Sequence, residues 1–253
     1  MTDAEHQTTA AGQPAGPANA DAAQLRKFAT LASRWWDPES ELKPLHQINP
    51  LRLDYIEQRA GIEGRTCVDV GCGGGLLSEG LARRHAASVL GIDLSEDTLT
   101  VARLHAQEAG LDNVEYRLIS AGELAKERPG QFERVTCMEV LEHVPDPGAL
   151  IADLAALLRP AGDLFVSTLN RTPKAFALGI VGAEYLLRLV PRGTHEYERF
   201  IRPSELDEYA RDCGLQLVDL IGIVYDPFRQ TFRLGPDVDV NYIAHFRAPE
   251  SRP

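Results

Sequence analysis

The chain of 253 residues reads as an α/β protein built on an open sheet of seven strands, mostly parallel, with an antiparallel last strand and helices on both faces. Three observations predict this. Short β-branched runs alternate with helix-period segments from about residue 21 to residue 247, the pattern that builds a parallel sheet covered on both sides. A glycine cluster, Gly71-Cys72-Gly73-Gly74-Gly75, directly follows the first strand, as in folds that hold a ligand at a strand-to-helix turn. The last two strands have no helix between them, so they should pair antiparallel.

The elements follow in order. A helix over 21–36 leads into a Pro-punctuated segment, 37–50, and a second helix over 51–60. Strand 66–70, helix 76–85, strand 88–93 and helix 95–109 come next, with Ser95 as N-cap and Gly110 as the stop. Strand 114–118, a short acidic turn, strand 132–138 and helix 146–158 follow, and Pro160-Ala161-Gly162 turns the chain into strand 163–169. Helix 203–213 and strands 215–225 and 241–247 complete a single domain over 21–250. Residues 1–20, rich in Ala, Gly, Pro, Thr and Gln, read as a disordered tail.

Composition narrows the function. An apolar fraction of 44% supports a full core, and 25% charged residues are ordinary for a globular domain. A net charge of -11 argues against a nucleic-acid partner, which needs a positive field. The N-terminal segment lacks the basic and apolar stretches of a secretory signal. It has no Arg before Arg26 and carries Asp3 and Glu5, against a mitochondrial transit peptide. A cytoplasmic location is expected. The four cysteines form no C-x-x-C pair, and Cys67 and Cys137, in apolar strands, read as buried inert thiols.

The first strand ends in Val68-Asp69-Val70 ahead of the glycines. Glycines let the backbone turn sharply and approach a ligand at the next helix's N-terminus. A dinucleotide turn of the form G-x-G-x-x-G would need glycine at position 76, where this chain has Leu76. Asp69 also sets a carboxylate where a pyrophosphate would be repelled, and it suits a ligand with a positive amino-acid moiety. The run Asp-x-Gly-x-Gly-x-Gly resembles that of the Rossmann-like class I methyltransferases, which implies S-adenosylmethionine at Asp69, Gly71 and Gly73. Asp93 ends the second strand about twenty residues on, where a carboxylate accepts from ribose hydroxyls; capping of the following helix is the plainer alternative. The turn Ser120-Ala121-Gly122-Glu123 places Ala121 at an adenine edge, by position alone.

The fourth strand delivers Met138-Glu139-Val140-Leu141-Glu142-His143-Val144-Pro145-Asp146. Ligands of open α/β sheets bind outside the carboxyl ends of the strands, so this segment faces the methyl donor. Glu139, Glu142 and His143 stand at i, i+3 and i+4, and a helical turn would project all three to one side. Two carboxylates and an imidazole suit a divalent cation with open positions. Alternatively the segment positions substrate, or His143 acts as a general base. All three residues are therefore candidates both for catalysis and for metal ligation.

Residues 170–202 are an apolar insertion. Lys174, Glu184, Arg188 and Arg192 fall within roughly 80° of a helical wheel, and the remaining positions include Phe176, Leu178, Ile180, Val181, Leu186, Leu187 and Leu189. The segment is too short and too charged to span a bilayer, and an interfacial helix fits. From 171 to 202 there are six Lys or Arg against three Glu, a local +3 that suits an anionic membrane surface. The alternative is a lid buried over the site or a contact between copies.

The segments Ser33-Arg34-Trp35-Trp36-Asp37, Lys43-Pro44-Leu45-His46-Gln47-Ile48-Asn49-Pro50-Leu51-Arg52 and Val135-Thr136-Cys137-Met138-Glu139 resemble the ubiquinone-biosynthesis O-methyltransferases. So do Ser167-Thr168-Leu169-Asn170-Arg171, Gly193-Thr194-His195 and the run from Leu234 to Tyr242. The resemblance spans about residues 28 to 242 and implies methylation of ring hydroxyls on 2-polyprenyl-6-hydroxyphenol and 3-demethylubiquinol. By the family's pattern Arg52, Gly71, Asp93 and Met138 contact the cofactor, and Glu139, Glu142 and His143 bind magnesium in the mitochondrial relatives. It also implies peripheral attachment to the inner face of the cytoplasmic membrane, and leaves other proteins of the same pathway open as partners. A module that merely holds the cofactor would not require the 139–143 segment beside an apolar lid. A methyltransferase of another pathway would lack the Trp-Trp and Asn-Pro-Leu-Arg segments.

Overall fold

Five strands, β1 (Thr66–Val70), β2 (Ser88–Asp93), β3 (Val114–Leu118), β4 (Phe132–Met138) and β5 (Leu158–Leu169), lie parallel in the order β3-β2-β1-β4-β5. A computed structural model of the chain describes residues 19–21, 23, 25–26, 31–177 and 197–251. β4 is buried along its whole length and β1 nearly so, as expected for central strands covered on both faces. Strand order reverses between β1 and β4, and the crevice of such a switch point opens at the carboxyl ends of the strands.

The C-terminal strands differ from the expected pattern in number. β8 (Asn241–Arg247) lies antiparallel between β5 and β6 (Gln216–Asp226), as the missing helix implied. An additional strand, β7 (Thr231–Gly235), pairs antiparallel with β6 at the edge, so the described sheet has eight strands rather than seven. Its residues alternate between exposed and half-buried and never form the apolar run that marks a strand. The turn before it is closed by Asp226, whose Oδ1 accepts from the Phe228 and Arg229 amides.

Three helices, α1 (Lys43–Ala60), α2 (Leu76–Arg83) and α3 (Glu96–Glu108), cover one side of the sheet, and α4 (Ala121–Glu127), α5 (Pro147–Leu157) and α6 (Pro203–Asp212) the other. α1 corrects the expectation of a helix beginning only at residue 51: it starts at Lys43 and runs through Pro50. Pro44 sits in the first turn, where a missing N–H costs nothing, whereas Pro50 removes one interior bond. Burial of Ile48, Leu53, Tyr55 and Ile56 offsets that loss. α3 is capped by Ser95 as expected. The expected acidic turn is α4, opened by a reciprocal capping box between Ser120 and Glu123. Within the helix expected over 21–36, residues 23, 25, 26 and 31 are helical and a 3-10 turn follows at Ala32–Arg34.

Residues 1–18 of the expected tail and 178–196 of the insertion lie outside the described residues. Around the insertion, tertiary structure corrects the charge read along the chain. Arg171 pairs with Glu205, Lys174 with Asp237 and Asp239, and Arg199 with Asp21. Three of the six basic residues that made the stretch cationic thus meet carboxylates from elsewhere. Among the described residues no helix is long and apolar enough to cross a membrane. Cys67, Cys72 and Cys137 are buried free thiols, and burial pushes Cys67 up to about 12.

A buried ionic cluster anchors α1 beneath the sheet. Asp163 in β5 is 2% exposed. Its Oδ1 accepts from His245 Nε2 at 2.8 Å and Arg247 Nε at 2.9 Å, and its Oδ2 lies 2.9 Å from Arg134 Nη1. Arg134 in turn donates to the Ala60 and Gly61 carbonyls, closing the last turn of α1. Burial opposes the Asp163 charge, but the His245 and Arg247 hydrogen bonds and the Arg134 charge outweigh it and hold the carboxyl below its ordinary value. Asp163→Asn should therefore cost about 3–5 kcal/mol at pH 7 in urea unfolding, since it strands a buried guanidinium. Because the folded-state carboxyl is the stronger acid, this stabilisation is present above about pH 4 and fades as pH falls through the folded value. The difference between wild type and variant should shrink on acidification.

Candidate active site

β1 ends in a carboxylate with no access to water. Asp69 Oδ2 accepts from Ser78 Oγ at 2.7 Å and Oδ1 from Thr136 Oγ1 at 2.8 Å, so Asp69 ties β1 to α2 and β4. Burial raises its carboxyl and the two hydroxyls pull it back. The turn beyond it has left-handed backbone at Gly71 (φ 72°), Gly73 (φ 53°) and Gly75 (φ 88°), a conformation that excludes most side chains. A Cβ at Gly71 would overlap Val140, and one at Gly73 or Gly74 would overlap the Trp35 ring. The Gly71 and Cys72 amides donate to the Ile92 carbonyl at 2.8 and 3.0 Å, docking the turn against β2.

Asp93 finishes β2 on the same rim. Its Oδ2 accepts from the Gly73 amide at 2.9 Å, and its Oδ1 from the Leu94 and Ser95 amides at 2.8 and 2.9 Å. The carboxylate thus joins the glycine turn to the start of α3, while Ser95 performs the N-cap role. Burial raises Asp93, and the three amides counter it.

These turns border one cavity of about 710 Å³ at the carboxyl edge of the sheet. Its wall contains Arg52, Asp69, Gly71, Gly73, Asp93, Ala121, Met138, Glu139 and His143, so nearly every residue singled out from the sequence faces a single space. Glu142 is absent from that wall. It is buried behind it, where its Oε2 accepts from Thr168 Oγ1 at 2.8 Å. Desolvation, then the neighbouring Glu139 carboxylate, push Glu142 up to about 8, so it is a neutral acid at pH 7.

The expected one-sided ligand set is not formed. Only Leu141–His143 adopt a 3-10 turn. Glu139 precedes it with left-handed backbone (φ 57°), and its carboxylate stays close enough to Glu142 to raise that acid. Glu139 Oε1 instead accepts from Arg52 Nη2 at 2.7 Å and Ser167 Oγ at 2.6 Å, and Asn241 Nδ2 lies 3.2 Å from both of its oxygens. Glu139 is ion-paired with Arg52 and Glu142 lies behind the cavity wall, so the three side chains do not present one shared set of donors to the cavity. Among the described residues no three His, Cys, Asp or Glu side chains converge as metal ligands.

Sequence reasoning named no role for Trp35, Asn49, Ser167 or Asn241. All four lie within segments that carry the family resemblance, and that coincidence was the available signal. Trp35 covers the glycine turn, while Ser167 and Asn241, on adjacent strands β5 and β8, hold Glu139.

Comparison with known proteins agrees with this geometry. Residues 45–220 match the family described as Methyltransferase domain. A magnesium protoporphyrin IX methyltransferase from Synechocystis PCC 6803, with bound SAH, superimposes with a TM-score of 0.64 at 20% identity, covering 89% of this chain and 93% of that one. That likeness shows the fold alone. The Ubiquinone biosynthesis O-methyltransferase of Azoarcus sp. is 56% identical over 229 residues, 90% of this chain and 97% of that protein. The protein of the same name from Pseudomonas paraeruginosa is 55% identical over 225 residues, 89% and 96% of the two chains. With that identity over nearly the whole length, the chain belongs to the S-adenosylmethionine-dependent ubiquinone biosynthesis O-methyltransferase family.

Proposed function

We propose that the chain methylates ring hydroxyls of polyprenylated phenols, at both 2-polyprenyl-6-hydroxyphenol and 3-demethylubiquinol, with His143 as general base. The observation that carries this reading is the shared cavity, lined by the glycine turn and Asp93 on one side and by His143 beyond β4 on the other. The Gly71–Gly73 backbone, Asp93, Ala121, Met138 and Arg52 would hold S-adenosylmethionine, and the tight glycine cradle fits a ligand brought close to the main chain. When bound, that cofactor supplies an electrophilic methyl group on a sulfonium. A phenol has a pKa of about 10 and is almost wholly protonated at neutral pH. His143 would take the hydroxyl proton as the oxygen forms its bond to the methyl carbon and the methyl–sulfur bond breaks with its electron pair left on sulfur, which gives a neutral ether, a thioether and an imidazolium. The Arg52–Glu139–Asn241 network fixes the floor beneath the reacting groups. Magnesium is assigned no step, because Glu139 is ion-paired with Arg52 and Glu142 lies behind the cavity wall.

Attachment to the inner face of the cytoplasmic membrane is part of the same proposal, and apolar contact is its main source. The pairing of Arg171, Lys174 and Arg199 with carboxylates leaves fewer cations for lipid headgroups than the sequence count implied, whereas Phe176 stays exposed at the start of the insertion. A docked insertion would admit the phenolic head while the polyprenyl tail stays in hydrocarbon. Other proteins of the pathway are natural suppliers of such a substrate.

Three outcomes are expected. His143→Ala should lower kcat by about 10²–10⁴-fold with S-adenosylhomocysteine affinity unchanged in calorimetry, and enzyme treated with EDTA should keep its turnover. Activity lost on chelation and restored by magnesium would overturn the assignment of His143 as sole base. Glu142→Gln should flatten the pH dependence of stability. The folded-state carboxyl titrates at about 8 and the unfolded one at about 4.3, so wild type loses stability as pH rises between them and levels off above. Urea unfolding at pH 5 and pH 9 should show that loss in wild type alone. Vesicle flotation should show binding to anionic lipid that survives moderate salt. The double change Leu186→Asp and Leu187→Asp should abolish it and spare turnover of a short-chain substrate; equal flotation of the two proteins would remove the membrane reading.

A further inference from the structure

Three residues of the cavity wall each carry a polar atom buried without a hydrogen-bond partner among the described residues: Trp35 Nε1, Asn49 Oδ1 and Arg52 Nε. Their residues are 7%, 7% and 5% exposed. Buried polar groups are nearly always paired, so three orphans on one wall need an explanation. All three are held in place by their other contacts. The Trp35 ring lies flat against Gly73 and Gly74, and its carbonyl accepts from His46 Nε2 at 2.9 Å. Asn49 Nδ2 donates to the Leu76 carbonyl at 2.9 Å, which turns its Oδ1 the other way. Arg52 commits Nη2 to Glu139 and leaves Nε unused.

The three are also neighbours. Trp35 covers the glycine turn, Asn49 is bonded to the residue directly after that turn, and Arg52 follows Asn49 by three positions on α1, on the same helix face. Two donors, one of them cationic, beside one neutral acceptor are the complement of a zwitterion: donors for a carboxylate and an acceptor for an ammonium. S-adenosylmethionine carries such a group at its α-amino-acid end.

We propose that Trp35 and Asn49, together with Arg52, form the subsite that reads the α-amino-acid end of the cofactor. Trp35 Nε1 and Arg52 Nε donate to its carboxylate and Asn49 Oδ1 accepts from its ammonium. The segment ahead of α1 thereby belongs to the cofactor site. A latch on the next residue keeps it there: Trp36 Nε1 donates to the Gly74 carbonyl at 3.0 Å. The Trp36 ring stacks on His105 with centroids 3.4 Å apart, and His105 Nδ1 bonds Glu79 at 2.7 Å.

Calorimetry on the full chain with two ligands tests this. S-adenosylhomocysteine carries the amino-acid end; 5′-methylthioadenosine keeps the adenine, ribose and thioether but lacks it. Trp35→Phe keeps an aromatic ring at this position while removing the indole N–H, and the 5′-methylthioadenosine arm reports any loss of packing on the glycines. This change should weaken S-adenosylhomocysteine about tenfold and change 5′-methylthioadenosine by less than about twofold. Asn49→Leu should show the same selectivity. Unchanged S-adenosylhomocysteine affinity in Trp35→Phe would overturn the proposal, as would equal losses for both ligands, which would mean that the residue acts through packing of the turn. Wild type binding the two ligands with equal affinity would also overturn it, because nothing would then read the amino-acid end. Were these atoms serving the phenol instead, Trp35→Phe would raise the KM for phenol and leave both calorimetric affinities intact.

Discussion

Asp69 sits at the end of β1 where no water reaches it, and an isolated carboxylate cannot stay there. Its two partners, Ser78 on α2 and Thr136 on β4, come from the two elements that meet β1 at the switch point. Supplying them draws the start of α2 back over the strand end, and the intervening turn must then double back sharply. The left-handed backbone of Gly71, Gly73 and Gly75 follows from that path. The bare surface the glycines leave is where Trp35 packs and where the cavity opens. The brace, the turn and the binding space are thus one constraint.

A second set of buried polar groups carries rigidity across the sheet. Arg52, Glu139, Ser167 and Asn241 come from α1, the β4 loop, β5 and β8, elements far apart in the chain. Left-handed backbone at Glu139 is tolerated because three donors converge on its side chain. At the opposite edge Asp163 holds Arg134, and Arg134 closes α1. α1 is therefore held at its middle by the Arg52–Glu139 pair and at its C-terminus by Arg134 on its last carbonyls, a fitting arrangement for the helix that presents Asn49 and Arg52 to the cavity.

The acid pair beside the site shows how burial assigns roles to residues of the same type. Glu139 meets a guanidinium, while Glu142 meets a hydroxyl and a neighbouring anion and is pushed up to about 8. His143, one residue further on, faces the cavity. Three side chains that the sequence placed together as possible ligands thus differ in their surroundings: Glu139 pairs with Arg52, Glu142 is a buried acid bonded to Thr168, and His143 lines the cavity.

The sequence by itself determined the fold class, the order of the parallel strands' elements and the position of the cofactor turn. These rest on local physics: the period of apolar residues, glycine's access to positive φ, and caps such as Ser95. It also placed Asp93 at the end of β2 and His143 in the turn beyond β4, because the carboxyl edge of a parallel sheet is where such residues meet. Tertiary structure alone decided matters that depend on groups distant in the chain. Pro50 is carried inside α1 because packing on α2 outweighs one lost bond, and β7 exists because β6 offers it an edge. The basic insertion is partly neutralised because Asp21, Glu205, Asp237 and Asp239 are brought to it. Trp35 and Asn49 stayed silent in the sequence for the same reason: an unpaired buried atom becomes visible only when every possible partner has been placed around it.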